Sequence, residues 1–442
     1  MMNWEKLLLP KGLQSAEADR QRSQFEKDYD RIIFSAPFRN LQDKTQVFPL
    51  PEVDFVHTRL THSLEVSSVG RSLGKSAGKF LLEKYPGLAA KQLQPFDIGG
   101  IVAAASLAHD IGNPPFGHAG EEAISDFFKF NTLGQLWKGQ CPDQDWEDLT
   151  HFEGNAQGFR MLVDKKNGIF ISPPTLAAFT KYPRPSWTAA RDQKRRSQKK
   201  FGFFSGNLED YTKLAEMMAI PSIADACWIR HPLAFLVEAA DDICYSIIDL
   251  EDGCTLGLVS LEQTIALLAA IIGKRFDPEK LEKYESNRQK LAIMRAMAIN
   301  QLIQETAVVF EELEPRLLSG EFDQALTDII PSAGPLEEIT ALSVKQIYRS
   351  QPVLEKEAAG YQVLEGLLET FAGALYAHHF QKEKFSGHHR SILRLLPSSH
   401  ALQEKQDAST IIRELLDFIS GMTDKYALSL YRRVKGIALP DQ

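Results

Sequence analysis

Apolar positions recur along most of this chain at helical rather than strand spacing. From Thr58 to Tyr85, Leu60, Leu64, Leu73, Ala77, Phe80 and Leu81 follow one another at three- and four-residue steps, which predicts a helix. A second helix is predicted from Asp97 to Asp110, where the run IGGIVAAASLA has almost no polar face. Such a helix is buried on all sides, and Ala103, Ala104, Ala105 and Ser106 are small enough to let neighbours approach closely. It ends at Gly112-Asn113-Pro114-Pro115, since proline cannot continue a helix. HAGEEAISDFFKF then predicts an amphipathic helix, and another runs to Val163. From Pro232 to Asp252, Leu236, Val237, Ala240, Ile243, Cys244, Ile247, Ile248 and Leu250 cover one side of a long helix. Helical periods continue beyond Gly253, with no internal repeat and no strand-rich stretch, so the predicted class is all-α.

Between these segments the pattern breaks. Residues 1–30 carry alternating charges and predict a solvated helix from Ser15. Pro37, Pro49 and Pro51 cut the following stretch into short pieces holding Arg39, Gln42, Lys44 and Gln46, either a plain loop or a pocket wall. Residues 131–150 read as an insertion or loop. In RDQKRRSQKK, residues 191–200, six of ten side chains are basic, which reads as an exposed loop or as a place to meet a polyphosphate or single-stranded nucleic acid. The expected partition is an N-terminal helix and pocket-wall segment (1–54), a core (55–255) and a C-terminal helical region packing on it (256–442).

Composition narrows the classes. With 44% hydrophobic and 24% charged residues in 442, the chain can bury a large core, and no apolar run is long enough to span a membrane. The N-terminal MMNWEKLLLPKG lacks the flanks of a signal peptide. Cys141, Cys227, Cys244 and Cys254 form no CxxC pair, which points to a reducing, cytoplasmic setting and away from a thiolate zinc site. A net charge of −8 argues against nonspecific coating of nucleic acid, so any polyanion must be met by local cations or a metal.

Chemistry concentrates in LAHDIGNPPFGHAGEE, Leu107 to Glu122. His109 and Asp110 end a buried helix, where an ionised carboxylate needs a cap, an ion pair or a metal. His118 and Glu121 are one turn apart on one face of the next helix, although acidic residues there also suit the helix dipole. His62 shares a face with Arg59 and, taken alone, reads as an ordinary hydrogen-bonded histidine rather than a ligand. On the Pro232 helix, Glu238, Asp241, Asp242, Tyr245 and Asp249 share a face with four carboxylates and no cation, either a solvated acidic face or a cation site. His378-His379 and His388-His389 are adjacent pairs that rarely chelate and read as structural. No P-loop and no GxGxxG is present. His62, His109–Asp110 and Asp241 together offer two imidazoles and two carboxylates, a set compatible with Mn²⁺, Mg²⁺, Fe or Zn²⁺.

H…HD…D on a helical scaffold resembles the HD-domain phosphohydrolases. The strings DYDRIIFSAPFRNLQDKTQVFPL, RLTHSLEV, HDIGNPPFGHAGE, HFEGNAQGFRM and EAADDICYSIIDLED resemble one branch, the deoxyguanosine triphosphate triphosphohydrolases and related dNTP triphosphohydrolases. The likeness is strong over residues 20–255 and general beyond. It implies metal ligation by His62, His109, Asp110 and Asp241, with Asp241 preferred to Asp242 because the family's ligand stands four before a Tyr and eight before an Asp. It implies a catalytic pair, His118 and Glu121, and an α-phosphate contact from Arg59. Gln46 and Asp249 would read the sugar 3′-hydroxyl, Val47 and Tyr245 would wall off a 2′-hydroxyl, and His151 would lie near the phosphates. Lys181 and one lysine of 194–200 would clamp phosphates. Some relatives have His at the position of Asn113. The implied reaction releases inorganic triphosphate from a dNTP, dGTP foremost. The implied assembly is a dimer or hexamer, with single-stranded DNA or a dNTP as regulator. Two other readings are a phosphohydrolase of cyclic or alarmone nucleotides, disfavoured by Gln46, Tyr245 and Asp249, and a nucleotide-sensing or DNA-binding regulator.

Overall fold

The structure, a computed structural model, describes residues 1–9, 22–46, 57–188, 192, 194–397 and 407–438. Among them one two-stranded antiparallel ribbon, Ser222–Ala224 with Cys227–Trp228, interrupts an otherwise helical chain. No helix there is long and apolar enough to cross a membrane, and all four cysteines are unpaired.

Gln24–Ile33 (α1) opens on a reciprocal cap between Ser23 and Glu26; the expected start at Ser15 lies outside the described residues. Arg59–Lys84 (α2) starts at Thr58, whose side chain accepts from the Thr61 amide. Pro95–Ala108 (α3) begins two residues earlier than the sequence predicts, with Pro95 in its first turn and Asp97 reaching back to the Gln94 amide. Its apolar run is buried from Ile101 to Ala108 without a break. The α2 and α3 helices make the most extensive helix–helix contact among the described residues. Gly70, Gly74 and Gly78 of α2 line that contact, and a Cβ at Gly74 would stand 2.8 Å from the Ile98 carbonyl oxygen. Ser67 Oγ donates to the Ala103 carbonyl across it at 2.8 Å.

His118–Phe130 (α4) and Gly154–Val163 (α5) follow. Pro232–Thr255 (α6) packs against α2, α3 and Asn287–Ser319 (α7). Gln351–Phe380 (α8) lies on α4 and on Asp424–Val434 (α10), with Ala408–Ser420 (α9) beside it. Residues 131–150 are not the expected loop: they hold helical turns at Thr132–Gln135 and a helix at Asp143–Thr150. These pieces are too short for apolar periodicity to register, and the buried rings of Trp137 and Trp146 carry them.

Two apolar clusters form the interior. The larger takes residues from Met2 to Val353, so it draws on all three expected segments. The smaller combines α4 and the Trp146 region with α8, α9 and α10. The chain crosses from one to the other between Ile111 and Phe116, the turn between His109–Asp110 and His118.

Candidate active site

Three helices deliver the groups that could hold a cation. His62 comes from the first turns of α2, His109 and Asp110 from the end of α3, and Asp241 from the middle of α6. Donor atoms of His62, His109 and Asp241 all lie within 4.8 Å of one another. His62 Nε2 is 3.1 Å from Asp241 Oδ1 and His109 Nε2 is 3.5 Å from the same oxygen. His109 Nδ1 lies 2.7 Å from the Ser106 carbonyl, which can only accept. That bond leaves the lone pair on Nε2, the atom facing Asp241 and, at 3.6 Å, Asp110 Oδ2.

Asp110 Oδ1 accepts from Arg59 Nη1 at 2.8 Å and from Asn113. Its Oδ2 is buried with no hydrogen bond, an acceptor left for something the protein does not itself supply. Burial opposes ionisation of Asp110, but Arg59, His109 and His62 hold its carboxyl below the usual range. Burial likewise opposes ionisation of Asp241, and His109, His62 and Lys181 keep it well below. Two imidazoles and the Asp241 carboxylate gathered within 4.8 Å, with Asp110 outside that group but its Oδ2 3.6 Å from His109 Nε2, fit a divalent cation. Asp242 is turned elsewhere, accepting from Thr327 Oγ1 at 2.7 Å, and burial pushes it up to about 6.

The turn after Asp110 puts Phe116 and Gly117 at φ of 62° and 59°. A side chain on Gly117 would collide with Arg59, since its Cβ would lie 2.9 Å from Nη2. Helix α4 then starts at His118, whose ring is 79% exposed. His118 Nδ1 lies 2.7 Å from Glu121 Oε2, and the Gly154 amide donates to Glu121 Oε1 at 2.7 Å. The Glu121 bond raises the His118 pKa above its ordinary value. Glu121 is buried, which would raise it, yet the His118 bond and the Lys200 charge bring it below the ordinary carboxylate value.

Both groups open into one cavity of about 430 Å³, within the range of small-molecule sites. Arg59, Lys181 and Lys200 supply its cations, and Gln46, Tyr245 and Tyr348 stand among its walls. Lys181 Nζ is 3.3 Å from Glu238 and Lys200 Nζ is 3.1 Å from Glu153. The Tyr245 and Tyr348 rings stack at 5.6 Å.

Residues 59–136 match the HD domain family, and residues 334–433 match the phosphohydrolase-associated domain. A deoxyguanosinetriphosphate triphosphohydrolase-like protein of Synechocystis sp. is 39% identical over 99% of this chain and all of its own length. The chain belongs to that family. A like protein of Pseudomonas aeruginosa is 38% identical over 99% of the chain and 100% of its own length. A deoxyguanosinetriphosphate triphosphohydrolase of Salmonella arizonae is 31% identical over 93% of the chain and 94% of its own length. In this triphosphohydrolase-family chain the HD match contains Arg59, His62, His109, Asp110, His118 and Glu121. Asp241 lies beyond it, while Tyr348 falls in the phosphohydrolase-associated domain.

Most described residues singled out from the sequence meet at the cavity, and two, Asp249 and His151, do not. Asp249 is buried behind the wall, accepting from Tyr348 Oη at 2.7 Å. Burial raises its carboxyl to about 8. His151 does not line the cavity; its half-exposed ring faces Glu147 Oε2 at 3.3 Å. Val47 lies outside the described residues. Among the described residues of the 191–200 run, Asp192, Lys194 and Lys199 are exposed as expected, but Arg195 to Gln198 turn inward. Arg196 Nε donates to Glu238 at 2.8 Å, Arg195 Nε lies 2.9 Å from Asp323, and Ser197 and Gln198 are buried. Glu238, with Arg230 Nη1 donating at 2.6 Å, is held ionised with a pKa of about 2 against the penalty of burial. The acidic face of α6 is therefore compensated at Glu238 by distant arginines. Sequence reasoning missed Tyr348, Tyr182 and Glu153 at the cavity; Glu153 stands in a quoted string, HFEGN, but Tyr348 has no local signal.

Proposed function

We propose that this protein hydrolyses deoxynucleoside triphosphates, dGTP foremost, to the deoxynucleoside and inorganic triphosphate with a divalent metal, Mn²⁺ or Mg²⁺ before Fe or Zn²⁺. The observation that carries this reading is the buried Oδ2 of Asp110, which makes no hydrogen bond, beside the His62–His109–Asp241 cluster, with His118 and Glu121 opening into the same cavity. The names of the Synechocystis and Salmonella relatives supply the substrate class.

His62, His109, Asp110 and Asp241 would hold the cation, which when bound contributes Lewis acidity and acidifies water at the α-phosphorus. Arg59 would steady the α-phosphate while still bonded to Asp110, and Lys181 and Lys200 would neutralise the outer phosphates. Glu121 fixes His118 so that Nδ1 is engaged and Nε2 is the atom able to exchange a proton at the scissile bond. Gln46 and, through Tyr348, Asp249 would read the 3′-hydroxyl, with Tyr245 and Val47 excluding a 2′-hydroxyl. His151 is given no part in this scheme. By its resemblance to the family, the protein would assemble as a dimer or hexamer and be regulated by single-stranded DNA or a second dNTP.

The test is a panel of the four dNTPs and GTP with Mn²⁺ or Mg²⁺, with and without single-stranded DNA or a second dNTP. Inorganic triphosphate is expected from dGTP and little from GTP. Metal-loaded protein that leaves every dNTP intact under all conditions would falsify the proposal.

A further inference from the structure

Residues 111–117 connect the cation ligands to the acid–base pair without belonging to any helix or strand. Their path is set from outside. Lys44 Nζ donates to the Asn113 carbonyl at 2.6 Å and to the Ser420 carbonyl at 2.5 Å. Asp424 Oδ1 accepts from the Phe116 amide at 2.9 Å. Its Oδ2 accepts from the Thr45 amide at 3.0 Å and from Thr45 Oγ1. The Lys44 carbonyl in turn accepts from the Arg59 amide at 3.1 Å, at the first residue of α2. Lys44 is 2% exposed and Asp424 1%, and neither lines the cavity.

Burying an ammonium and a carboxylate is unfavourable unless their bonds are well made. Apart from the bonds to the Ser420 carbonyl and from the Thr45 hydroxyl, each ends on a backbone group within three residues of a side chain of the candidate site. Asn113 also bonds Asp110, Phe116 is two residues before His118, Thr45 precedes Gln46, and Arg59 bears the guanidinium on Asp110. A pair that only glued helices together would have no reason to meet those positions. Apolar packing anchors the turn at its two ends, Ile111 in the larger cluster and Phe116 in the smaller, and these bonds fix the backbone between them.

We propose that Lys44 and Asp424 are positioning residues that set the distance from the cation ligands to His118, one of them supplied by α10. The inference deepens the phosphohydrolase reading above and rests on it for its kinetic consequence only. The test uses full-length protein and the variants Lys44→Met and Asp424→Asn. The kcat for dGTP is expected to fall about 100-fold, as for a misplacement of about 1 Å, with KM and calorimetric Mn²⁺ affinity held within about threefold. A second readout needs no turnover: paramagnetic relaxation of the His118 ring protons by bound Mn²⁺, which falls steeply with distance, should change in both variants. Thr45→Val removes one donor to Asp424 and should lower kcat about 10-fold, which decides the matter if the other two variants do not fold.

Unchanged kcat and unchanged relaxation at His118 overturn the proposal. So does a fall in turnover no larger than the loss of folded protein by circular dichroism, or loss of Mn²⁺ binding in step with turnover. An inactive wild type whose His118 relaxation still shifts in the variants sustains the positioning role and sinks the substrate assignment.

Discussion

Replacing Glu121 by Gln isolates what the carboxylate does for His118. Glu121 receives two bonds of 2.7 Å each, from His118 Nδ1 and from the Gly154 amide, one at each oxygen. Glutamine has a single acceptor oxygen, so it can serve one partner and must present an N–H to the other. The Gly154 amide can only donate, and it keeps the oxygen. His118 then faces an N–H, turns Nδ1 into an acceptor and moves its proton to Nε2. A lost charge-assisted bond is worth about 1.5–3 kcal/mol, so kcat should drop about 10- to 150-fold if the bond persists at the transition state. The wrong tautomer adds to this at neutral pH. The Glu121 bond is also the largest cause of the raised His118 pKa. The limb of the pH–rate profile assigned to His118, and its ring-proton titration by NMR, should therefore move to lower pH in Glu121→Gln. Mn²⁺ affinity should not change, since Glu121 is not among the proposed cation ligands. An unaltered kcat with an unaltered titration of His118 would refute the reasoning.

His109→Ala and Asp241→Ala should abolish both turnover and calorimetric Mn²⁺ binding, because each removes a donor from the cluster. His118→Ala should lose about 100-fold or more in kcat yet bind Mn²⁺ as the wild type does; metal loss in that variant would contradict the assignment. Asp249, raised to about 8 by burial, binds a proton in the folded state that it lacks when unfolded. Stability therefore falls as pH rises from the unfolded value near about 4 through 8, and Asp249→Asn should flatten the urea midpoint across that window. A slope equal to that of the wild type would count against a protonated Asp249.

Much of the scaffold could be read from local pattern. The buried character of α3, its proline stop and the helices from Thr58 and Pro232 follow from apolar spacing that neighbours do not alter. The site was legible in a different way: His109–Asp110 stood out because charged groups at the end of an apolar helix demand partners. Choosing those partners, and Asp241 over Asp242, rested on the family resemblance rather than on periodicity. Long-range pairing defeated the local view. A window over 191–200 contains six cations but not Glu238 or Asp323, which draw Arg195 and Arg196 inward. Tyr348 is 99 residues from the Asp249 carboxylate it bonds, and Thr45 is 379 from Asp424. The Gly70-Gly74-Gly78 stripe was present in the sequence as a four-residue repeat of small residues on α2, the counterpart of the small residues noted on α3.

The crossing of the chain from the larger apolar cluster to the smaller one places the two halves of the candidate site in two separately packed clusters. His62, His109 and Asp241 are borne by helices of the larger cluster, and His118 and Glu121 by a helix of the smaller. Opening of the smaller cluster alone would separate proton transfer from cation binding without dismantling either set of residues. Heat should then silence the enzyme while Mn²⁺ is still held, and amides of α4 should exchange with deuterium before those of α3. In that regime temperature acts as an uncoupler, and the protein passes through a state that binds its metal and turns over nothing.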